Sequence, residues 1–199
     1  MKPAVSRAMV FAALAFAAPC VSLGCASSAP DPIRAEEAKT GPGKVTIVEF
    51  VDYRCPFCRQ QADVMASLLA QNAGAVRLVV KHVPLDKHKG ARRAARAAVC
   101  AERQNRLEPM HEALMRAEDT SDGTLLDIAR EVGLGLEDFK SCLTSKETDD
   151  RLHDDRDAFE RAGGEGLPLT FVGRTKFIGL ADPEELEKAM REELDRVQP

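Results

Sequence analysis

Two cysteines separated by two residues, Cys55-Pro56-Phe57-Cys58, are the part of this chain best suited to chemistry. They follow an apolar, β-branched run and precede a stretch with helical spacing, so the pair falls where a strand ends and a helix begins. Free N–H groups and the positive end of the helix dipole stabilise a thiolate there, which lowers the pKa of the first cysteine. Pro56 suits the first turn, where its missing N–H leaves nothing unpaired. Two intervening residues on one helical turn bring the sulfurs within bonding reach. The result is a reversible dithiol/disulfide pair, with Cys55 the exposed nucleophile and Cys58 the resolving thiol behind it. An inert disulfide staple and half of a zinc site are the other uses of such a pair. Zinc needs a second CxxC or a closely spaced histidine pair, and the sequence supplies neither, so no metal or cofactor is expected.

A second element lies more than a hundred residues on, in Gly166-Leu167-Pro168-Leu169-Thr170-Phe171-Val172. A proline just before a strand is acceptable as a strand-start residue. Taken with the CxxC it carries more. A CxxC after the first core strand, a helical insertion, and a Gly-x-Pro before a hairpin resemble the thioredoxin superfamily, and its DsbA-like thiol:disulfide oxidoreductases above all. The resemblance covers about residues 45–197. It implies that Pro168 is cis and packs beside the CxxC, and that the backbone of Leu167 binds a substrate peptide as an added strand. It also matches Glu49 and Lys81 to charged positions near the resolving cysteine, with an implied role in moving protons to and from Cys58; a mutually neutralising buried pair is the alternative. Two departures stand out. Phe57 occupies the place where the strongest oxidants of the family have histidine, which implies a weaker oxidant, and Leu167 is bulkier than the usual valine or threonine.

The elements that must position these groups follow from periodicity. Val45 to Val51 reads as a buried strand, Arg59 to Gln71 as a helix, and Ala75 to Val83 as a second strand, a β-α-β unit with a parallel pair. The stretch from 86 to 162 is helical throughout, ending in a heavily charged helix from Asp149 to Arg161 expected to be mostly solvated. Leu169 to Val172 and Lys176 to Ile178 form a hairpin about Gly173-Arg174. Asp182 and Pro183 open a last helix. The expected fold is α/β, thioredoxin-like, with an all-helical insertion at about 87–162 between the β-α-β and β-β-α halves of a domain covering 44–199. Within the insertion, Cys100 and Cys142 are expected to form a structural disulfide in an exported protein, two buried free thiols being the alternative.

The first residues read as an address. Lys2 and Arg7 precede an apolar run from Met9 to Leu23, the pattern of a signal peptide over 1–25. Val21-Ser22-Leu23-Gly24-Cys25 resembles the bacterial lipoprotein box, making Cys25 a lipid attachment site; ordinary cleavage after Ala26 is the other outcome. Residues 26–43, rich in Ala, Ser, Pro and Glu, are expected to be a flexible tether. The chain is 44% hydrophobic with a formal charge of -4, one Tyr and no Trp. That composition gives a packed core and neither the basic face nor the stacking aromatics of a nucleic-acid binder. No apolar run reaches the length of a membrane span.

The expected function is an exported, periplasmic thiol:disulfide oxidoreductase, lipid-anchored or free. It acts as an oxidase that donates the Cys55–Cys58 disulfide to unfolded or partly folded exported proteins and is reoxidised by a membrane redox partner. Only a short tether precedes Val45, which points to a monomer. A disulfide isomerase and a client-specific reductase are the rivals within the class; a metal-binding or thiol adaptor using the same cysteines is the rival outside it.

Overall fold

The computed structural model describes residues 29–198; the leader over 1–25 and the lipid-bearing role of Cys25 lie outside them. Along the described chain come α1 (Asp31–Glu37), β1 (Val45–Val51), α2 (Pro56–Gln71), β2 (Val76–His82), α3 (Ala91–Arg103), α4 (Leu107–Arg116), α5 (Asp122–Glu131), α6 (Leu136–Leu143), α7 (Lys146–Arg161), β3 (Leu169–Val172), β4 (Thr175–Ile178) and α8 (Pro183–Val197). The strands form one sheet in the order β2-β1-β3-β4, with β1 and β2 parallel and the other pairs antiparallel. The architecture is a thioredoxin-like α/β domain with its helical insertion, α3 to α7, between the β-α-β and β-β-α halves.

Every residue of β1 is buried, Thr46 and Glu49 included, as a nearly continuous apolar run requires of a strand covered on both faces. Val45 and Ile47 face Met65 and Leu68 of α2 and Leu186 and Met190 of α8. Val48 and Phe50 face the insertion, where the Phe50 ring meets Phe159 of α7 edge-on at 5.7 Å between centroids. Helix α8 opens as its sequence demands, with the Asp182 carboxylate accepting from the N–H groups of Glu184 and Glu185.

One expectation needs correction and one boundary moves. The stretch at 26–43 is not wholly a tether, because α1 lies within it. Ile33 is fully buried, Ala29 nearly so, and Glu36 receives ion pairs from Arg77 at 3.2 Å and Lys81 at 3.3 Å on β2. Average composition hid one inward isoleucine and one paired glutamate. Helix α7 begins earlier than expected, where the Ser145 hydroxyl accepts from Thr148 N–H, and, with most of its surface open to solvent as expected, buries one stripe of Thr148, Leu152, Asp155, Ala158 and Phe159. One narrow stripe is enough to dock a helix whose remaining faces carry charge.

Cys100 of α3 is bonded to Cys142 of α6, closing a loop of 42 residues. The bond joins two helices of the insertion that also pack through buried neighbours such as Ala97, Ala101 and Phe139. A loop of that length is worth roughly 3–4.5 kcal/mol in the chain-entropy picture. The double variant Cys100→Ala/Cys142→Ala is expected to lose about that much in urea unfolding, with the thiolate titration of Cys55 unchanged.

Candidate active site

Cys55 sits at the N-cap of α2, with extended backbone (φ −76°, ψ 122°) and Pro56 in the first turn. Its sulfur therefore meets the first free N–H groups of the helix. Cys58, one turn in, is buried, and its sulfur accepts a hydrogen bond from the Asp52 N–H at 3.5 Å. Both are free thiols. The Cys55 pKa is lowered to about 6, chiefly because the Cys58 thiol donates a hydrogen bond to it; the backbone N–H groups of Cys58 and Phe57 add to this, and the charge of His88 helps, while burial opposes. The same hydrogen bond, reinforced by burial, drives the Cys58 thiol far above its ordinary range. One sulfur is an anion at neutral pH and the other keeps its proton.

The Leu167–Pro168 peptide bond is cis. It lies against the CxxC, with the Leu167 carbonyl oxygen 3.8 Å from Cys55 Sγ, which donates to it in the thiol form. Cys55 is consequently more covered than the sequence suggests, only 6% exposed. Its neighbours are not covered. Phe57, Ile178 and Leu180 are the large apolar side chains most open to solvent among the described residues, at 56%, 49% and 47%. Ile178 lies beside Gly166, where an added Cβ would sit 3.5 Å from its Cγ2. An apolar rim thus borders the strand-start segment that carries Leu167. Nothing local in the sequence marks Ile178 and Leu180, which read as ordinary residues at a strand end.

The two charged groups expected near Cys58 part company. In the parallel register Glu49 pairs with Val80, and Phe50 with Lys81, so Glu49 and Lys81 point to opposite faces of the sheet. Lys81 goes to Glu36 and Asp155, each within 3.4 Å, and so belongs to the α1 and α7 side. This corrects the expectation that it serves the resolving cysteine. Glu49 is buried, and burial pushes its carboxyl up to about 7. It lines a cleft of about 920 Å³ between α2, α4 and β2, bordered also by Ala62, Met65, Val80 and His111.

Between β1 and α2, the loop carrying Asp52 and Tyr53 is tied down on two sides. The Tyr53 hydroxyl lies 3.4 Å from Nδ1 of His82 on β2 and 3.2 Å from Nδ1 of His111 on α4, all three side chains buried. Asp52, also buried, takes the Arg54 N–H at 2.7 Å on one carboxylate oxygen and the Leu85 N–H at 2.9 Å on the other. The latter oxygen also meets His88 Nδ1 at 2.7 Å. Nothing local in the sequence marks His82, His88 and His111, because their partners lie 29 to 58 residues away. Among the described residues no group of three or more His, Cys, Asp or Glu is arranged to hold a metal ion.

Residues 46–191 match the family model described as DSBA-like thioredoxin domain. The solved structure of a thioredoxin-like oxidoreductase from Silicibacter pomeroyi is 31% identical, with a TM-score of 0.68 over 77% of this chain and 88% of that one. The thiol-disulfide exchange protein alpha-DsbA2 from Wolbachia pipientis, at 21% identity and a TM-score of 0.67 over 77% and 82%, shares the fold. In sequence, the chain is 32% identical over 162 residues to the Na(+)/H(+) antiporter NhaA 3 of Salinispora tropica, a match spanning 80% of this chain. The chain spans only about a quarter of the length of such curated relatives. Among the described residues no helix is long and apolar enough to cross a membrane.

The buried histidines make a prediction. Burial holds the His111 pKa down at about 4, against 6.5 for the exposed ring. The unfolded chain therefore binds a proton that the folded one refuses between those values, and this contribution to stability, complete above pH 6.5, is lost as pH falls towards 4. Glu49, raised instead of lowered, acts in the opposite sense over nearly the same window, so a difference measurement is required. Relative to His111→Gln, the wild-type oxidised protein should lose roughly 3 kcal/mol across that interval. A stability difference independent of pH would show that the ring is not held neutral.

Proposed function

The chain belongs to the DsbA-like thioredoxin domain family of thiol:disulfide oxidoreductases, and from that premise we propose that it is an exported oxidase donating its Cys55–Cys58 disulfide to folding client proteins. The single observation carrying this direction is the split between the two sulfurs. A cysteine whose thiolate is favoured to a pKa of about 6 makes the reduced protein the comfortable state, so the disulfide is readily given away. Export agrees with the Cys100–Cys142 disulfide, a bond of oxidising compartments.

In the proposed cycle a client thiolate attacks Cys55 Sγ of the disulfide, breaking the S–S bond and forming a mixed disulfide. Cys58 leaves with the electron pair and takes up a proton, which its high affinity for protons ensures. A second client thiolate attacks the client sulfur of the mixed disulfide, and Cys55 departs as a thiolate. Glu49, with a carboxyl that exchanges its proton near neutrality and a cleft connecting it to solvent, is the proposed donor to Cys58. The backbone of Leu167 beside Pro168 offers an edge for an extended client segment, and Phe57, Ile178 and Leu180 receive its apolar side chains.

Equilibration with glutathione tests the direction. The expected potential lies above the roughly −270 mV of thioredoxin and, with Phe57 in the motif, below the roughly −120 mV of DsbA. A value near thioredoxin's sinks the oxidase in favour of a reductase, and stoichiometric bound zinc or copper in the purified protein would favour the adaptor. The apolar rim has its own test. Ile178→Ser with Leu180→Ser should raise KM for a reduced unfolded client about five- to tenfold, at unchanged potential, since each fold of ten is about 1.4 kcal/mol of lost apolar contact.

A further inference from the structure

Every polar atom of Asp52 is engaged at the active site. Its N–H goes to Cys58 Sγ, its carbonyl accepts the Cys55 N–H at 3.0 Å, one carboxylate oxygen takes the Arg54 N–H, and the other takes the Leu85 N–H and His88 Nδ1. A fully buried carboxylate that accepts two backbone N–H groups is an acceptor only, so the ring proton on His88 Nδ1 points at it. That leaves Nε2 as the ring nitrogen not engaged by Asp52. The His88 ring is 18% exposed, and its position is set by its own backbone as well: its N–H donates to the Leu85 carbonyl at 2.9 Å and its carbonyl accepts from Ala91 at 3.1 Å. The other charges nearby do not compete. Arg54 turns its guanidinium to the Ala117 carbonyl at 3.0 Å, and Asp86, Lys87 and Lys89 are exposed on the loop of His88 itself.

We propose that His88, held by Asp52, is a positioning residue for disulfide exchange, its imidazolium stabilising Cys55 as the departing and resting thiolate in place of the histidine that the CxxC itself lacks. The inference rests on Cys55 being the exchanging sulfur, as proposed above. The charge of His88 already acts on Cys55 in the direction required. Phe57, two residues past the nucleophile, offers its backbone N–H but no side-chain donor, so a side-chain cation acting on the sulfur has to come from elsewhere, and His88 on the exit loop of β2 supplies it. When a client dithiol reduces the Cys55–Cys58 disulfide, two electrons leave the client as its own S–S bond forms and two protons are freed. One ends on Cys58. The other is retained on His88 Nε2 while Cys55 remains an anion, so the reduced site holds an ion pair that the oxidised site lacks.

His88→Gln keeps a donor for Asp52 and removes the charge. In reduced protein, ultraviolet thiolate absorbance should show the Cys55 pKa rising by about one unit, and the glutathione equilibrium at neutral pH should move about fivefold towards the disulfide form. Lys87→Gln, which removes an exposed charge one residue away, should change neither. A wild-type Cys55 pKa near 6 that stays there in His88→Gln overturns the role of His88 alone; a wild-type value near that of a free thiol overturns the exchange proposal beneath it. Should His88→Gln fail to fold, the wild-type protein decides. The His88 ring nitrogens must report a step at the Cys55 titration that vanishes in Cys55→Ser, and its absence in wild type refutes the proposal.

Discussion

One hydrogen bond between two sulfurs organises this molecule. Cys58 can donate to Cys55 only if both lie on the first turn of α2, with Cys58 dry enough to keep its proton and Cys55 aligned with the free N–H groups of the helix. The rest of the fold supplies those conditions. The buried strand β1 delivers the loop, Asp52 clamps it through five hydrogen bonds, and the Leu167–Pro168 segment closes over the reactive sulfur. Burial alone would raise both thiols; it is the direction of donation, from the inner sulfur to the outer, that separates them.

The helical insertion serves the same end. Through Tyr53 the loop before the cysteines is bonded to a histidine of β2 and another of α4, so the insertion and the sheet grip the catalytic turn from two sides. Neutral imidazoles suit that place because a charge there would have no water to solvate it. The grip explains how an insertion of five helices, remote in sequence from Cys55, bears on where its sulfur points.

The sequence disclosed what local rules govern. A β-branched run, a CxxC with proline at the first helical position, and Asp182-Pro183 each declare their conformation within a few residues. Legibility ended where contacts became long-range or depended on register. Glu49 and Lys81 look like a pair until the parallel alignment of β1 and β2 puts them on opposite faces, a matter of one residue of phase. His88 looks incidental, since the carboxylate that holds it is 36 residues earlier. The stretch around Ile33 looks like a linker, because composition averages away a single anchor. Ile178 and Leu180 gain meaning only from the segment they border.

The Cys100–Cys142 bond has an implication for how the protein comes to exist. Cys100 is sealed from solvent in the finished structure, so the bond must be made while the insertion is still open. A newly delivered copy, with its thiols unpaired and its helices not yet docked, has the traits of the chains its mature siblings are proposed to oxidise.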